Sequence, residues 1–247
     1  MRNRVLLAIV LCLATVIAKA DVRLPRIVGD NMVLQRNQPV TIWGWAASGE
    51  SVRITFNGQQ VETRASKNGE WRVSLAPMKH GGPFEMTIIG KNTIVLKNIL
   101  IGDVWLGSGQ SNMEWPLQFT LDADEEIAAS DFPNIRLFTV EKDMSFKVRD
   151  DLKTGEWLVC NPKNSRFFSA VAYYFGKKLH LDLDVPIGLV NSSWGGTRVE
   201  PWISWDVIGS EPEFKNMNLA ALEKDAAKNE KNFARFAEAL KLDPGIN

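Results

Sequence analysis

The 247-residue sequence carries 29 basic residues (Lys and Arg) and 29 acidic residues, so its formal net charge is zero. A chain balanced in this way lacks the basic surface with which proteins bind nucleic acid or anionic membranes. Its length is sufficient for one or two domains.

Residues 1–20 have the features of an export signal. Two arginines precede the apolar residues 5–17, which are too few to span a bilayer comfortably, and residues 18–20 match a signal-peptidase site. We predict cleavage after Ala20 and a periplasmic or secreted protein with no membrane attachment. The remaining chain has 26 basic and 29 acidic residues, a net charge of −3, and only Cys160, which excludes an internal disulfide.

Residues 21–97 predict a β-sandwich domain, because short runs of apolar residues alternate with polar ones. In one run Val52, Ile54 and Phe56 alternate, and Asn57-Gly58 follows. Asn-Gly tolerates the positive φ angles of a two-residue hairpin turn. About seven such runs, separated by turn residues, are typical of a sandwich. They lie at residues 32–35, 40–45, 52–56, 61–65, 71–75, 84–88 and 94–96.

Residues 98–247 predict an α/β domain. Residues 99–106 are nearly all apolar, as in a strand that is covered on both faces, and residues 134–140 and 186–190 are two further candidates. A strand, a helix and a strand in succession favour parallel pairing.

Two helices are predicted in this second domain. Residues 168–179 place Val171, Tyr174, Phe175 and Leu179 on one apolar face, with Asn164 or Ser165 near the start of the helix. Residues 212–242 predict an amphipathic helix that packs on the domain.

A polar turn follows the first apolar strand, with the sequence Gly107-Ser-Gly-Gln-Ser-Asn-Met-Glu-Trp115. Open α/β proteins bind ligands at the carboxyl ends of parallel strands. A dinucleotide-binding turn would need glycine at Asn112, and a lipase-type elbow would need glycine at Met113. Two interpretations remain: the nucleophile turn of another hydrolase fold, or serines that only cap a helix.

A second stretch repeats this design. The apolar residues 186–190 are followed by Asn191-Ser-Ser-Trp-Gly-Gly-Thr197. If the two strands are neighbours, Gly195 and Gly196 lie near Ser111, where their N–H groups are suited to stabilise an oxyanion.

Residues 109–115 and 193–197, with Glu200 and Trp202, resemble the sialate O-acetylesterase family, carbohydrate esterases of the SGNH (GDSL-like) hydrolase superfamily. Residues 30–36 and 42–45 are similar to the β-domain that precedes the catalytic domain in bacterial members. The resemblance covers nearly all of the chain after residue 20. It implies a β-sandwich followed by an SGNH-type three-layer α/β/α domain with a parallel sheet.

The resemblance also implies the roles of individual residues. Ser111, rather than Ser108, is expected to be the nucleophile that forms an acyl-enzyme. The N–H groups of Ser111 and of Gly195 or Gly196 are expected to form the oxyanion hole. Neither a metal nor a cofactor is expected.

Further side chains near the turn are candidates for binding an acetylated carbohydrate. Arg198 is suited to meet a sialate carboxylate. The tryptophans at 115, 194 and 202 either stack on a sugar ring or pack in the core. The substrate-binding residues that we expect are Gln110, Asn112, Trp194 and Arg198.

Two segments expected from the family are absent from this sequence: Gln-Gly-Glu, whose glutamine completes the oxyanion hole, and Asp-x-x-His, which supplies the base and its acid. The two histidines are His80, expected in a surface loop, and His180, expected at a helix end. We therefore expect residues 98–247 to be the N-terminal part of an incomplete SGNH domain, with feeble or no esterase activity alone.

Two hypotheses follow. The first is an exported carbohydrate O-acetylesterase that acts on sialic acid or on plant polysaccharides. The second is a carbohydrate-binding or interaction module without catalysis.

Overall fold

A computed structural model describes residues 21–145 and 148–210, together with positions 212, 228 and 231. The predicted signal at 1–20, and nearly all of the predicted helix at 212–242, lie outside the described residues. Within them are ten strands: β1 (Val33–Gln35), β2 (Val40–Trp45), β3 (Ser51–Phe56), β4 (Gln59–Arg64), β5 (Glu70–Leu75), β6 (Gly81–Ile89), β7 (Thr93–Gly109), β8 (Phe132–Thr139), β9 (Trp157–Cys160) and β10 (Ile187–Ser193).

The described residues also form five α-helices, none of which is both long and apolar enough to cross a membrane. They are α1 (Ser111–Glu114), α2 (Ala123–Ala128), α3 (Pro162–Ser165), α4 (Ala170–Leu183) and α5 (Trp205–Ser210). Single turns of 3-10 helix lie at Leu117–Phe119 and Glu200–Trp202.

The first part of the chain forms two facing sheets, as the alternating pattern predicts. β2 and β5 pair as a two-stranded sheet, and β3, β4, β6 and β7 belong to the larger one. Val52, Ile54 and Phe56 are each at most 1 % exposed and enter a core shared by both sheets. Burial of each such side chain contributes about 1.5–3 kcal/mol. β3 and β4 meet at Asn57-Gly58, whose φ angles of 45° and 74° suit the predicted hairpin turn.

The second part contains the three predicted parallel strands. β10 lies between β7 and β8 and is parallel to both, with Ile187 paired with Asp103 on one side and with Ile135 on the other. α2 and α4 contribute to a core on one face of this sheet. The predicted α/β class with a parallel sheet is therefore confirmed. The antiparallel edge strand β9 is an additional element that the sequence analysis did not identify.

β7 belongs to both parts of the chain. Its 17 residues pair with β6 up to Ile101 and with β10 from Asp103 onward, and the predicted boundary at residue 97 falls within it.

The buried Arg136 of β8 also joins the two parts, because its guanidinium donates hydrogen bonds to the carbonyl oxygens of Asn31 and Asn98. Burial lowers the pKa of Arg136 to about 10.

Most of the predicted apolar face of α4 does not pack in the core, although Leu179 does contact it. Val171, Tyr174 and Phe175 are 39–49 % exposed, whereas Ala170, Ala172, Tyr173 and Gly176 are buried. Small residues bring the helix close to the sheet, and a β-carbon at Gly176 would lie only 2.5 Å from Leu189. The start is also corrected: Ser169 caps α4 by accepting a hydrogen bond from the N–H of Ala172 at 3.2 Å, whereas Asn164 and Ser165 belong to α3.

Candidate active site

Ser111 lies at the carboxyl edge of the parallel sheet. β7 ends at Gly109, and Ser111 is the first residue of α1. β10 ends beside it, with Ser193 paired with Gly109, and the N–H of Trp194 donates to the Gly109 carbonyl at 2.9 Å. The continuous pairing of two apolar strands thus brings the two polar loops together.

Ser111 is exposed, and Gly195 approaches it closely. A β-carbon built at Gly195 would lie 3.2 Å from Ser111 Oγ and 3.5 Å from Ser111 Cα. Any larger residue at 195 would therefore fill the space beside the hydroxyl. Gly196 is exposed and has a φ of +76°, a conformation that favours glycine. The structure therefore brings Ser111 and Gly195 together, and Gly196 follows Gly195 in the same loop.

Hydrogen bonds hold the loop that follows β10. Gln110 Nε2 donates to the Thr197 carbonyl, and Thr197 Oγ1 donates to the Trp194 carbonyl at 2.7 Å. Trp202 Nε1 donates to Thr197 Oγ1 at 2.9 Å. Gln110, a predicted substrate ligand, thus connects the two loops in this structure.

Glu114 and Lys142 are part of this site, although the sequence analysis gave neither a role. Glu114 Oε2 accepts a hydrogen bond from the Gly195 N–H, and Glu114 Oε1 is ion-paired with Lys142 Nζ. The Lys142 hydrogen bond and then the Gly195 N–H lower the pKa of Glu114. The position of Glu114, three residues after Ser111, was a usable signal. Lys142 offered none, because its partner lies 28 residues away in the sequence.

The remaining predicted ligands lie in the two loops: Asn112 follows Ser111 directly, and Trp194 and Arg198 follow β10. Asn112 and Arg198 are exposed, and Trp194 is half-buried beneath Lys142 Nζ, which lies 5.8 Å from its ring centre. Trp115 and Trp202 are 52 % and 40 % exposed, so neither packs in the core. Ser108 is exposed near the end of β7, paired with Ser192.

Both histidines lie away from Ser111. His80 precedes Gly81, which pairs with Ile101, eight residues or roughly 26 Å along β7 from Gly109. His180 is in the last turn of α4, with Nδ1 2.8 Å from the Val185 carbonyl oxygen. The opposite end of α4 is the end near α1, where Ser169 Oγ donates to Met113 Sδ at 3.6 Å. Neither histidine is placed to serve as the base for Ser111.

Within residues 21–145 and 148–210 there is no group of three or more His, Cys, Asp or Glu side chains arranged to hold a metal ion. Cys160, the free cysteine of this region, is buried, and burial raises the pKa of its thiol to about 12. A thiol with this pKa is a weak nucleophile at neutral pH. Ser111 therefore remains the candidate nucleophile.

Comparison with known proteins agrees with this arrangement. Mouse sialate O-acetylesterase is 35 % identical over 240 residues, which cover 88 % of this chain, and human sialate O-acetylesterase is 34 % identical over 197 residues, covering 72 %. A crystal structure of a carbohydrate acetylesterase from Xanthomonas citri is 37 % identical, matches 77 % of this chain and superposes with a TM-score of 0.75. The chain belongs to the sialate O-acetylesterase family.

The chain spans less than half the length of these family members. The match covers 44 % of the mouse protein, 38 % of the human protein and 44 % of the Xanthomonas chain. No family model matches the sequence. Membership of the sialate O-acetylesterase family therefore rests on these relatives and on the shared fold.

Proposed function

We propose that this chain is the nucleophile-bearing part of an exported carbohydrate O-acetylesterase that acts through Ser111. The observation that carries the proposal is the close approach of Gly195 to an exposed serine at the sheet edge, where a β-carbon would lie 3.2 Å from Ser111 Oγ. Export rests on the signal pattern of residues 1–20 alone.

In the proposed reaction, Ser111 Oγ bonds to the acetyl carbonyl carbon, and the carbonyl electron pair moves onto its oxygen. Main-chain N–H groups stabilise that oxyanion. The bond to the sugar oxygen then breaks, the sugar hydroxyl leaves with a proton, and water later hydrolyses the acetyl-serine. The proton of Ser111 must pass to a base, and neither His80 nor His180 is placed to accept it.

The proposal therefore requires a base other than these two histidines, and the resemblance implies an Asp-x-x-His segment for that role. We expect feeble or no esterase activity from the 247-residue chain alone, because a serine without a base is a weak nucleophile. Reading the coding DNA beyond codon 247 in all frames, for Gln-Gly-Glu and Asp-x-x-His, tests this requirement. The absence of both from every frame would argue for a non-catalytic protein.

The decisive experiment compares two serines in the longest polypeptide that the gene encodes. Ser111→Ala is expected to lower p-nitrophenyl acetate hydrolysis by at least about a thousandfold and to abolish fluorophosphonate labelling. Ser108→Ala is the matched control, since Ser108 is also exposed near the end of β7. Equal loss in both variants, or labelling that persists in Ser111→Ala, would contradict the assignment.

The substrate class is tested in the same polypeptide with two kinds of acetyl ester. 9-O-acetylated sialic acid carries a carboxylate, and the exposed Arg198 is suited to bind it. Acetylated xylan and xyloglucan carry none. A sialate esterase should lose activity on the acidic sugar in Arg198→Ala, whereas a polysaccharide esterase should be unaffected.

A second candidate function is carbohydrate binding by the β-domain. A groove of about 450 Å³ is lined by tryptophans and polar residues, namely Trp43, Trp45, Trp71, Ser66, Glu70, Arg72 and Asp150. Within the described residues, the buried Trp71 Nε1–H has no hydrogen-bond partner. Aromatic faces beside polar groups are suited to sugar rings, although the Arg23 guanidinium already lies 3.8 Å from the Trp45 ring centre.

Affinity electrophoresis in xyloglucan or xylan tests this second function. Retardation of the wild-type chain that is lost in Trp43→Ala but kept in Trp115→Ala would support the groove. Unretarded migration of the wild-type chain in both polysaccharides would eliminate it.

A further inference from the structure

The Glu114 carboxylate connects the ends of three parallel strands. Glu114 lies in α1, directly after β7, and binds the N–H of Gly195, two residues after the end of β10. Its other oxygen is paired with Lys142, three residues after the end of β8. One half-buried side chain therefore fixes the spacing between the serine turn and the glycine loop.

This contact distinguishes the two glycines. A main-chain N–H has one hydrogen, and that of Gly195 is directed at Glu114 Oε2. It cannot donate to an oxyanion at the same time. The N–H of Gly196 makes no hydrogen bond to any of the described residues, and the space at its β-position is open.

Charge explains why Lys142 belongs to the arrangement. An unpaired carboxylate close to Ser111 would repel the negative charge that develops on the acetyl oxygen. The Lys142 ammonium offsets that charge. The neighbouring acid, Glu141, is directed elsewhere: its Oε2 accepts from Thr154 Oγ1 at 2.5 Å, and it is ion-paired with Lys153 at 3.9 Å.

We propose that Glu114 is a positioning residue that holds the Gly195 amide, so that the N–H of Gly196, together with that of Ser111, is left to stabilise the oxyanion. This inference rests on the proposed esterase function. In this proposal Glu114 does not transfer a proton. Lys142 keeps the bound carboxylate charged without leaving net negative charge beside the reacting oxygen.

The contact itself is tested without any activity. In ¹⁵N-labelled 247-residue chain, the Gly195 amide resonance should shift as Glu114 is protonated, with a midpoint below the usual glutamate pKa because Lys142 and Gly195 stabilise the carboxylate. Lys142 is the charged group that faces Glu114, and Arg198 on the Gly195 loop is exposed. The shift should disappear in Glu114→Gln. A Gly195 amide that is insensitive to acid in the wild-type chain would overturn the proposal.

The positioning role is tested by kinetics in the longest polypeptide that the gene encodes. Glu114→Gln keeps an oxygen that can accept the Gly195 N–H, whereas Glu114→Ala removes it. We expect Glu114→Ala to lower kcat about a hundredfold with little change in KM, and Glu114→Gln to recover all but a few-fold of it. Glu125→Ala, at an exposed position on α2, is the control. An equal loss in Gln and Ala variants would mean that Glu114 transfers a proton, and would overturn the proposal.

The two proposals fail in different ways. If the wild-type polypeptide hydrolyses no acetyl ester, the esterase function and the oxyanion assignment both fail. The contact still stands if the Gly195 amide resonance shifts as Glu114 is protonated. If the esterase is active and Ser111-dependent while Glu114→Ala keeps the full kcat, only the role given to Glu114 fails.

Discussion

At the scale of single residues, the candidate site depends on which serine lies beside Gly195 and on the two contacts of Glu114. Ser108, near the end of β7, and Ser111, at the start of α1, are both exposed, and a β-carbon at Gly195 would lie 3.2 Å from Ser111 Oγ. Glu114 has its two oxygens on different partners, one on Gly195 and one on Lys142. A carboxylate with two such partners is held more firmly than one in a single surface ion pair.

The protonation of Glu114 should change stability in a defined direction. Its pKa is lowered in the folded chain by Lys142 and then Gly195, so its contribution is present above the unfolded pKa and is lost as the pH falls through the folded value. Urea unfolding should show wild type more stable than Glu114→Gln at neutral pH, with the difference shrinking as the pH falls below the usual glutamate pKa. Glu125→Gln, at an exposed position on α2, is the control. A pH-independent difference in the Glu114 variant would contradict the expectation.

At the scale of secondary-structure elements, β7 decides the architecture. One edge of β7 pairs with β6 up to residue 101 and then with β10 at 103–109, so two strands follow each other along it, while β1 pairs with the opposite edge at 100–102. Gly102 lies where one partner gives way to the next, and a β-carbon there would overlap the carbonyl oxygen of Pro186. Arg36 also joins this point, with two hydrogen bonds to the Asp103 carboxylate at 2.8 and 2.9 Å.

Gly102→Ala should therefore destabilise the chain strongly. The β-carbon would force apart β7 and the start of β10, with a cost of about 3 kcal/mol or more in the free energy of unfolding. Gly29→Ala is the control, because no atom lies within 4 Å of its β-position, and it should cost no more than about 0.5 kcal/mol. Urea denaturation measures both, and equal midpoints would show that the strand junction can relax.

At the scale of the whole molecule, the described residues leave an apolar edge uncovered. β7 pairs with β1 only as far as Gly102, and no described strand continues on that side of residues 103–109. Leu106 is 69 % exposed, and the exposed Trp105 and Phe175 contact each other edge to face at 5.1 Å. Unpaired apolar edges of this kind favour association.

The 247-residue chain should therefore self-associate. Sedimentation velocity is expected to show species larger than a monomer, and the double variant Leu106→Lys, Phe175→Lys should shift them toward monomer because charge on an edge opposes pairing. Leu181→Lys is the control, since Leu181 is 61 % exposed near the other end of α4. Identical profiles for all three proteins would rule out this edge as the contact.

Local patterns in the sequence were sufficient for much of the fold, whereas the prediction of Ser111 as the nucleophile came from the family resemblance. Alternation placed Val52, Ile54 and Phe56 in a core, and Asn57-Gly58 set a hairpin, because side-chain period and turn geometry depend on adjacent residues. The same reasoning was wrong for most of the buried face of α4. Hydrophobic size pointed to Val171 and Phe175, whereas close packing on the sheet required small residues such as Gly176.

By itself, the sequence determined the three apolar strands, the polar loops after two of them and the family to which the chain belongs. The tertiary structure alone decided that β10 lies beside β7, that Glu114 meets both Gly195 and Lys142, and that no described strand covers one edge of β7 at residues 103–109. The physical reason is separation along the chain. Gly195 is 81 residues from Glu114, and such a contact depends on strand order and register, which local periodicity does not specify.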